Sequence, residues 1–231
     1  MPAVVMDAWM TMFLPAVDMA SYYRERAERL VRASGGEYSP RLLFLYLEVR
    51  EEIERERNAR LLEIPAKAEI SEFLSRAGLR GEVSEEHLEA YAWPFVHLTR
   101  GECDLARVLL ELRAAGTRVA VLANSPHHGM VEERVRREGI SDLIDLVETS
   151  ASLGYRKPHP RAFLGLLSRL GEGAGGSVMV GDSASSDVEG AASVGMKTVW
   201  VRRPGSKRPR KVDAIIDTLE ELPEVVERLI G

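Results

Sequence analysis

Val178-Met179-Val180-Gly181-Asp182-Ser183-Ala184-Ser185-Ser186-Asp187 runs three apolar residues into a glycine and an acid, with a second acid five residues on. A short unbroken apolar run reads as a strand buried on both faces, the pattern of a parallel sheet. Two other stretches repeat it: Val4-Val5-Met6 ends in Asp7, and Val119-Ala120-Val121-Leu122 ends in Ala123-Asn124-Ser125. Open α/β sheets bind ligands beyond the carboxyl ends of their strands, so these polar residues are expected to meet. Lys157, within Arg156-Lys157-Pro158-His159-Pro160, is expected to join them. Three acids around one lysine repel one another strongly, which calls for a divalent cation in the site. A carboxylate nucleophile beside a metal and a lysine is equipment for phosphoryl transfer.

At 231 residues, the chain is long enough for one large core and a subsidiary domain. Its 45% hydrophobic and 29% charged residues are ordinary for a globular protein, and a net charge of −5 argues against a nucleic-acid partner. No apolar run is long enough to predict a membrane span. Asp7 interrupts the first apolar run and no basic segment precedes it, which argues against a secretory leader. The expectation is a cytoplasmic protein with a small anionic substrate and neither nucleic acid nor membrane as partner. The single Cys103 excludes an internal disulfide and reads as a small buried hydrophobe near a helix start.

From about Val17 to Pro94 the β signal gives way to helical spacing. Ala20, Tyr23, Ala27, Leu30 and Ser34 recur at steps of three and four, closed by Gly35-Gly36. Ser39-Pro40 opens a second helix that should end before Pro65. Two more are predicted over residues 66–77 and 85–92, the last closed by Pro94. Beyond it, strands and helices alternate: helices carrying Leu105 to Leu112, then over 129–138, 160–170 and 184–194, and strands near 146–148, 177–180, 198–201 and 214–216. This alternation implies a parallel sheet covered on both faces. The expected fold is a three-layer, Rossmann-like α/β core over residues 1–14 and 99–231, with an all-α, four-helix cap inserted over 15–98.

Motif order and spacing then meet a family. The chain resembles the haloacid dehalogenase-like hydrolase superfamily over nearly its whole length, with a helical cap inserted after the first motif. Asp7-Ala8-Trp9-Met10-Thr11 stands where the family has Asp-x-Asp-Gly-Thr, and Ala123-Asn124 where it has a strand ending in Ser or Thr. Lys157-Pro158-His159-Pro160 fits its lysine motif, and Gly181-Asp182 with Asp187 fits its Gly-Asp-x-x-x-x-Asp. The resemblance implies that Asp7 is a nucleophile forming an aspartyl-phosphate and that Lys157 neutralises it and the transferring group. It further implies one Mg²⁺ held by Asp7, Asp182, Asp187 and the backbone carbonyl of Trp9, with Asn124, Ser125 and Lys157 binding substrate.

Three residues depart from the pattern. Trp9 replaces an aspartate that protonates the leaving group, a loss that typically costs roughly 10²–10⁴ in rate. Met10 replaces a glycine, so the loop must be conformed differently or strained. Ala123 removes a hydroxyl that grips a phosphoryl oxygen, a contact worth on the order of 1.5–3 kcal/mol; Ser125 could substitute. The leading expectation is therefore a Mg²⁺-dependent phosphatase for a small phosphorylated molecule. The aromatic Trp9 leaves open a 2-haloacid dehalogenase, whose halide leaving group needs no proton. The three departures together leave open a weakly active or inactive binding protein. His127-His128, the basic stretch 202–211, and cap arginines such as Arg50, Arg55 and Arg57 read mainly as solvated surface.

Overall fold

The computed structural model describes residues 2–79 and 81–230. The chain opens with β1 (Ala3–Met6) and a short β2 (Phe13–Pro15). Four helices follow: α1 (Met19–Ala33), α2 (Pro40–Arg60), α3 (Ala66–Arg76) and α4 (Glu85–His97). Then come β3 (Thr99–Gly101), α5 (Leu105–Ala114), β4 (Arg118–Ala123), α6 (His128–Glu138) and β5 (Leu146–Thr149). The rest is α7 (Ser150–Leu153), α8 (Pro160–Leu170), β6 (Ser177–Gly181), α9 (Gly190–Ser193), β7 (Lys197–Val201), β8 (Ala214–Ile216) and α10 (Leu222–Ile230).

Six strands form one parallel sheet in the order β5-β4-β1-β6-β7-β8. Alternation along the strands builds its two faces. Val4, Met6, Val119, Val121, Val178 and Val180 pack toward α5, α6 and α10, while Val5, Ala120, Leu122 and Met179 pack toward Phe163, Leu166 and Leu170 of α8. The result is the expected three-layer α/β fold. β1 lies between β4 and β6, so the strand order reverses there and a crevice opens where β1 ends at Asp7.

β2 and β3 pair as an antiparallel two-stranded ribbon at the base of the four helices. The expected boundaries, after residue 14 and before 99, fall on this ribbon. Two helical expectations need correction. Pro94 does not close α4, which continues to His97 with Pro94 inside it. Burial of Tyr91, Phe95 and Val96 outweighs the roughly 3 kcal/mol that an interior proline costs. Residues 184–194 are not one α-helix: Ala184–Glu189 is a π-helical turn, in which the Val188 N–H reaches back to the Ser183 carbonyl at 3.2 Å, and α9 follows it. On α1, Ala27 and Leu30 are buried as expected, but Ala20 is exposed and Tyr22, Arg26 and Val31 turn inward beside them.

Candidate active site

Asp7 extends β1 by one ladder bond, its N–H donating to the Val180 carbonyl at 2.9 Å, which holds the carboxylate at the crevice. Lys157 enters from the loop before α8, and Asn124 at the end of β4 fixes it. The Asn124 amide donates to the Lys157 carbonyl (2.9 Å), and the Lys157 N–H donates to Asn124 Oδ1 (2.8 Å). The Lys157 ammonium then lies 2.7 Å from Asp7 Oδ1, 2.7 Å from Asp187 Oδ1 and 2.6 Å from the Leu122 carbonyl. Its three protons are thereby spent.

The π-helical turn sets Asp187. Its Oδ2 accepts from the Ser183 N–H at 2.9 Å, so the carboxylate folds back over the end of β6. A Cβ on Gly181 would come within 2.3–2.5 Å of that carboxyl group, so glycine is required there by space. Asp182 is held more loosely, accepting from the Thr11 hydroxyl at 3.3 Å. Its main-chain carbonyl takes the Trp200 indole N–H at 2.7 Å. Carboxylate oxygens of Asp7, Asp182 and Asp187 lie within 4.8 Å of one another.

Three acids thus share one ammonium in a buried place. Burial pushes the Asp7 carboxyl up to about 7, with Asp187 and Asp182 adding to the rise against the pull of Lys157. Burial also lifts Asp182 to about 6, with Asp187 adding to it. Burial disfavours the Lys157 charge, but Asp187 and Asp7 outweigh it and hold the lysine above its ordinary value. This surplus of negative charge, with Asp7 Oδ2 taking no hydrogen bond from the described residues, fits a site for a divalent cation. Asp187, by contrast, has both oxygens engaged by Lys157 and Ser183.

The departures from the family pattern have structural counterparts. Met10 has φ 61°, a left-handed backbone, so the missing glycine did leave strain. Arg203 holds that strained loop, donating to the Met10 carbonyl at 2.8 Å and the Thr11 carbonyl at 3.3 Å while pairing with Glu102 at 3.1 Å. Arg203, expected in a solvated stretch, is nearly buried. Trp9 lines the crevice and packs edge-on against Tyr22, 5.4 Å between ring centroids, and against Phe95. Ser125 spends its hydroxyl proton on the His127 carbonyl at 2.9 Å, so it does not replace the donor missing at Ala123.

A cavity of about 340 Å³ joins these residues to the inner faces of α1, α2 and α4. Sequence reading missed Arg26 and Tyr91 on its roof and took Arg57 for a surface residue. Arg57 is 2% exposed because Glu54, Glu63 and Glu69 neutralise it. The only sequence signal for Arg26 is its spacing of four from Tyr22, which puts both on one helix face. His127 and His128 do not line the cavity; His128 contacts Thr149 and Glu132. Cys103 is half-buried outside it, and burial with Glu102 pushes its thiol up to about 12.

Comparison with known proteins accords with this geometry. The family profile described as haloacid dehalogenase-like hydrolase matches residues 42–201, and the chain belongs to that family. One relative, a glyceraldehyde 3-phosphate phosphatase of Pyrococcus abyssi, is 38% identical over 42% of this chain and 40% of its own length. The chain spans about half the length of most curated relatives it matches, and 71% of a Mycobacterium tuberculosis phosphatase to which it is 30% identical over 68% of its own length. Among solved structures, a HAD phosphatase from Thermococcus onnurineus is 28% identical, covers 98% of both chains and superposes with a TM-score of 0.68. A 2-haloacid dehalogenase from Pseudomonas syringae, 23% identical with 98% of both chains covered and a TM-score of 0.70, shares the fold. No helix among the described residues is long and apolar enough to cross a membrane.

Proposed function

We propose that this chain is a phosphatase for a small phosphorylated molecule, using Asp7 as nucleophile and one Mg²⁺. The single observation that carries the reading is the cluster of three carboxylates within 4.8 Å around one buried ammonium. Asp7, Asp182 and Asp187, with the Trp9 carbonyl, are the residues that would hold the cation. When bound, it supplies positive charge that offsets the acids and the transferring group.

In this reading an Asp7 oxygen attacks phosphorus while the alkoxide or phenolate of the substrate departs, and water then cleaves the aspartyl-phosphate. Lys157 orients Asp7 and favours its ionised form against the rise that burial imposes. Asn124 acts through Lys157, as a positioning residue, and its own backbone N–H after β4 takes the role lost with the hydroxyl at Ala123, the Ser125 N–H being spent on the Ala123 carbonyl. Trp9 cannot donate a proton, so the site favours leaving groups that depart as stable anions, acyl phosphates and aryl phosphates among them. The four helices over 15–98 act as a cap that roofs the crevice and selects the substrate.

A second reading rests on Trp9 itself: a halide leaves without a proton, so Asp7 displacing halide from a 2-haloacid is also compatible with this residue. One assay separates them, measuring phosphate release from phosphate esters and halide release from 2-chloropropionate, with and without Mg²⁺. Metal-dependent phosphate release supports the phosphatase; metal-independent halide release supports the dehalogenase, and neither product defeats both.

A further inference from the structure

The roof of the cavity carries a charge pattern opposite to its floor. Four arginines line it, and the chain treats them in two ways. Arg57 and Arg156 are supplied with carboxylates: Arg57 pairs with Glu54, Glu63 and Glu69, and Arg156 with Glu54 at 2.5 Å and Glu63 at 2.9 Å. Arg26 and Arg50 have no carboxylate partner among the described residues.

Arg26 is the sharper case. It is 5% exposed, yet its Nε has no hydrogen-bond partner. Its side-chain bonds go only to neutral phenols, to the Tyr22 hydroxyl at 2.9 Å and to that of Tyr46. The guanidinium lies 4.2 Å from the Tyr91 ring centroid and 5.1 Å from that of Tyr22. Tyr91 donates its own hydroxyl proton to Glu69 at 3.2 Å, and Tyr46 does the same at 3.0 Å. That carboxylate is therefore screened from Arg26 by two hydroxyls. Arg50, half-buried, lies 4.6 Å over the Tyr23 ring. A buried cation without a counter-ion is costly unless something else supplies the charge, and stacking on aromatic faces recovers only part of that cost. Rings that fix both guanidinium planes in advance also lower the ordering cost of binding an anion.

We infer that Arg26 and Arg50 form an anion receptor in the roof, seating a second anionic group of the substrate, a carboxylate or a second phosphate, opposite Asp7. The inference rests on the phosphatase reading for the other end of the molecule. Its substrate class is then a small bis-anion: a phosphate ester whose carbon skeleton bears a further acidic group. A cavity of about 340 Å³ suits a molecule of that size.

The test compares three probes with Mg²⁺ present: ethyl phosphate, 2-phosphoglycolate and ethylene glycol bisphosphate. Wild-type protein is expected to prefer one or both bis-anions over ethyl phosphate, and which of the two it prefers decides between carboxylate and phosphate. In Arg26→Gln and Arg50→Gln the ratio of kcat/KM for the preferred bis-anion to that for ethyl phosphate should fall about tenfold or more, the size of a lost charge-assisted hydrogen bond. Arg26→Lys should restore part of it. A non-hydrolysable arm measures binding of phosphonoacetate and methylphosphonate by calorimetry. Phosphonoacetate should bind more tightly, with the difference lost in Arg26→Gln. If neither these alkyl esters nor p-nitrophenyl phosphate, run beside them, releases phosphate, the phosphatase reading falls and this arm still tests the receptor. Equal treatment of mono- and bis-anions by wild type, or ratios unmoved by Arg26→Gln, would overturn the inference.

Discussion

Asn124 and Lys157 are joined by two reciprocal hydrogen bonds, amide to carbonyl at 2.9 Å and backbone N–H to Oδ1 at 2.8 Å. The side chain at the end of β4 therefore grips the backbone of the residue whose ammonium meets Asp7. Removing it leaves a backbone donor and acceptor beside the cavity. Two such bonds are worth about 1 kcal/mol each, so Asn124→Ala should cost about 2 kcal/mol in urea unfolding and lower kcat through a misplaced Lys157. Loss of stability with kcat intact would show that Lys157 is positioned by its contacts to Asp7 and Asp187 alone.

Trp9 makes a prediction about leaving groups. Without an acid at that position, rates should depend steeply on the leaving-group pKa, with p-nitrophenyl phosphate cleaved far faster than an alkyl phosphate. Trp9→Asp should flatten that dependence, raising the alkyl rate by up to about 10²-fold while giving up ring packing on Tyr22 and Phe95. A flat dependence in wild type would mean another group protonates the leaving oxygen.

The raised carboxyl groups make stability pH-dependent. Asp7 and Asp182, lifted from 3.8 to about 7 and about 6, bind protons more tightly folded than unfolded. Their contribution is complete below about pH 4 and is lost as pH rises toward 7, since the folded chain holds the extra protons only in that window. In Mg²⁺-free buffer, the Tm of Asp7→Asn should therefore gain on wild type as pH is raised through this range. Added Mg²⁺ should close the gap at the upper end. A gap that shrinks with rising pH would contradict the charge balance described here.

Met10 stores strain that can be measured. A left-handed backbone costs a side-chain-bearing residue about 1–2 kcal/mol, of which glycine's greater unfolded freedom offsets up to about 1 kcal/mol. Met10→Gly should therefore hold or slightly raise the urea midpoint. A clear fall would show that the methionine side chain contributes packing beyond its strain.

The centre of the sheet was legible because β1, β4 and β6 carry unbroken apolar runs, and the polar residues that follow them mark the crevice. The features that escaped are those whose cause is tertiary. Pro94 reads as a stop until Phe95 and Tyr91 are seen buried around it, and Asp187 reads as an α-helical residue until Gly181 is seen leaving room for its carboxylate. Arg57 and Arg203 read as solvated because arginine usually is; the carboxylates that bury them lie far along the chain or on another helix, at Glu69 and Glu102. Local spacing cannot pair such residues.

The central claim is that Asp7 becomes phosphorylated. The direct measurement is mass spectrometry of acid-quenched protein taken during turnover of p-nitrophenyl phosphate with Mg²⁺, with Asp7→Asn in parallel. A phosphate adduct on the peptide carrying Asp7, absent from the variant and from the metal-free sample, is the predicted result. Phosphate release that continues in Asp7→Asn, with no adduct on that peptide in wild type, would contradict the account.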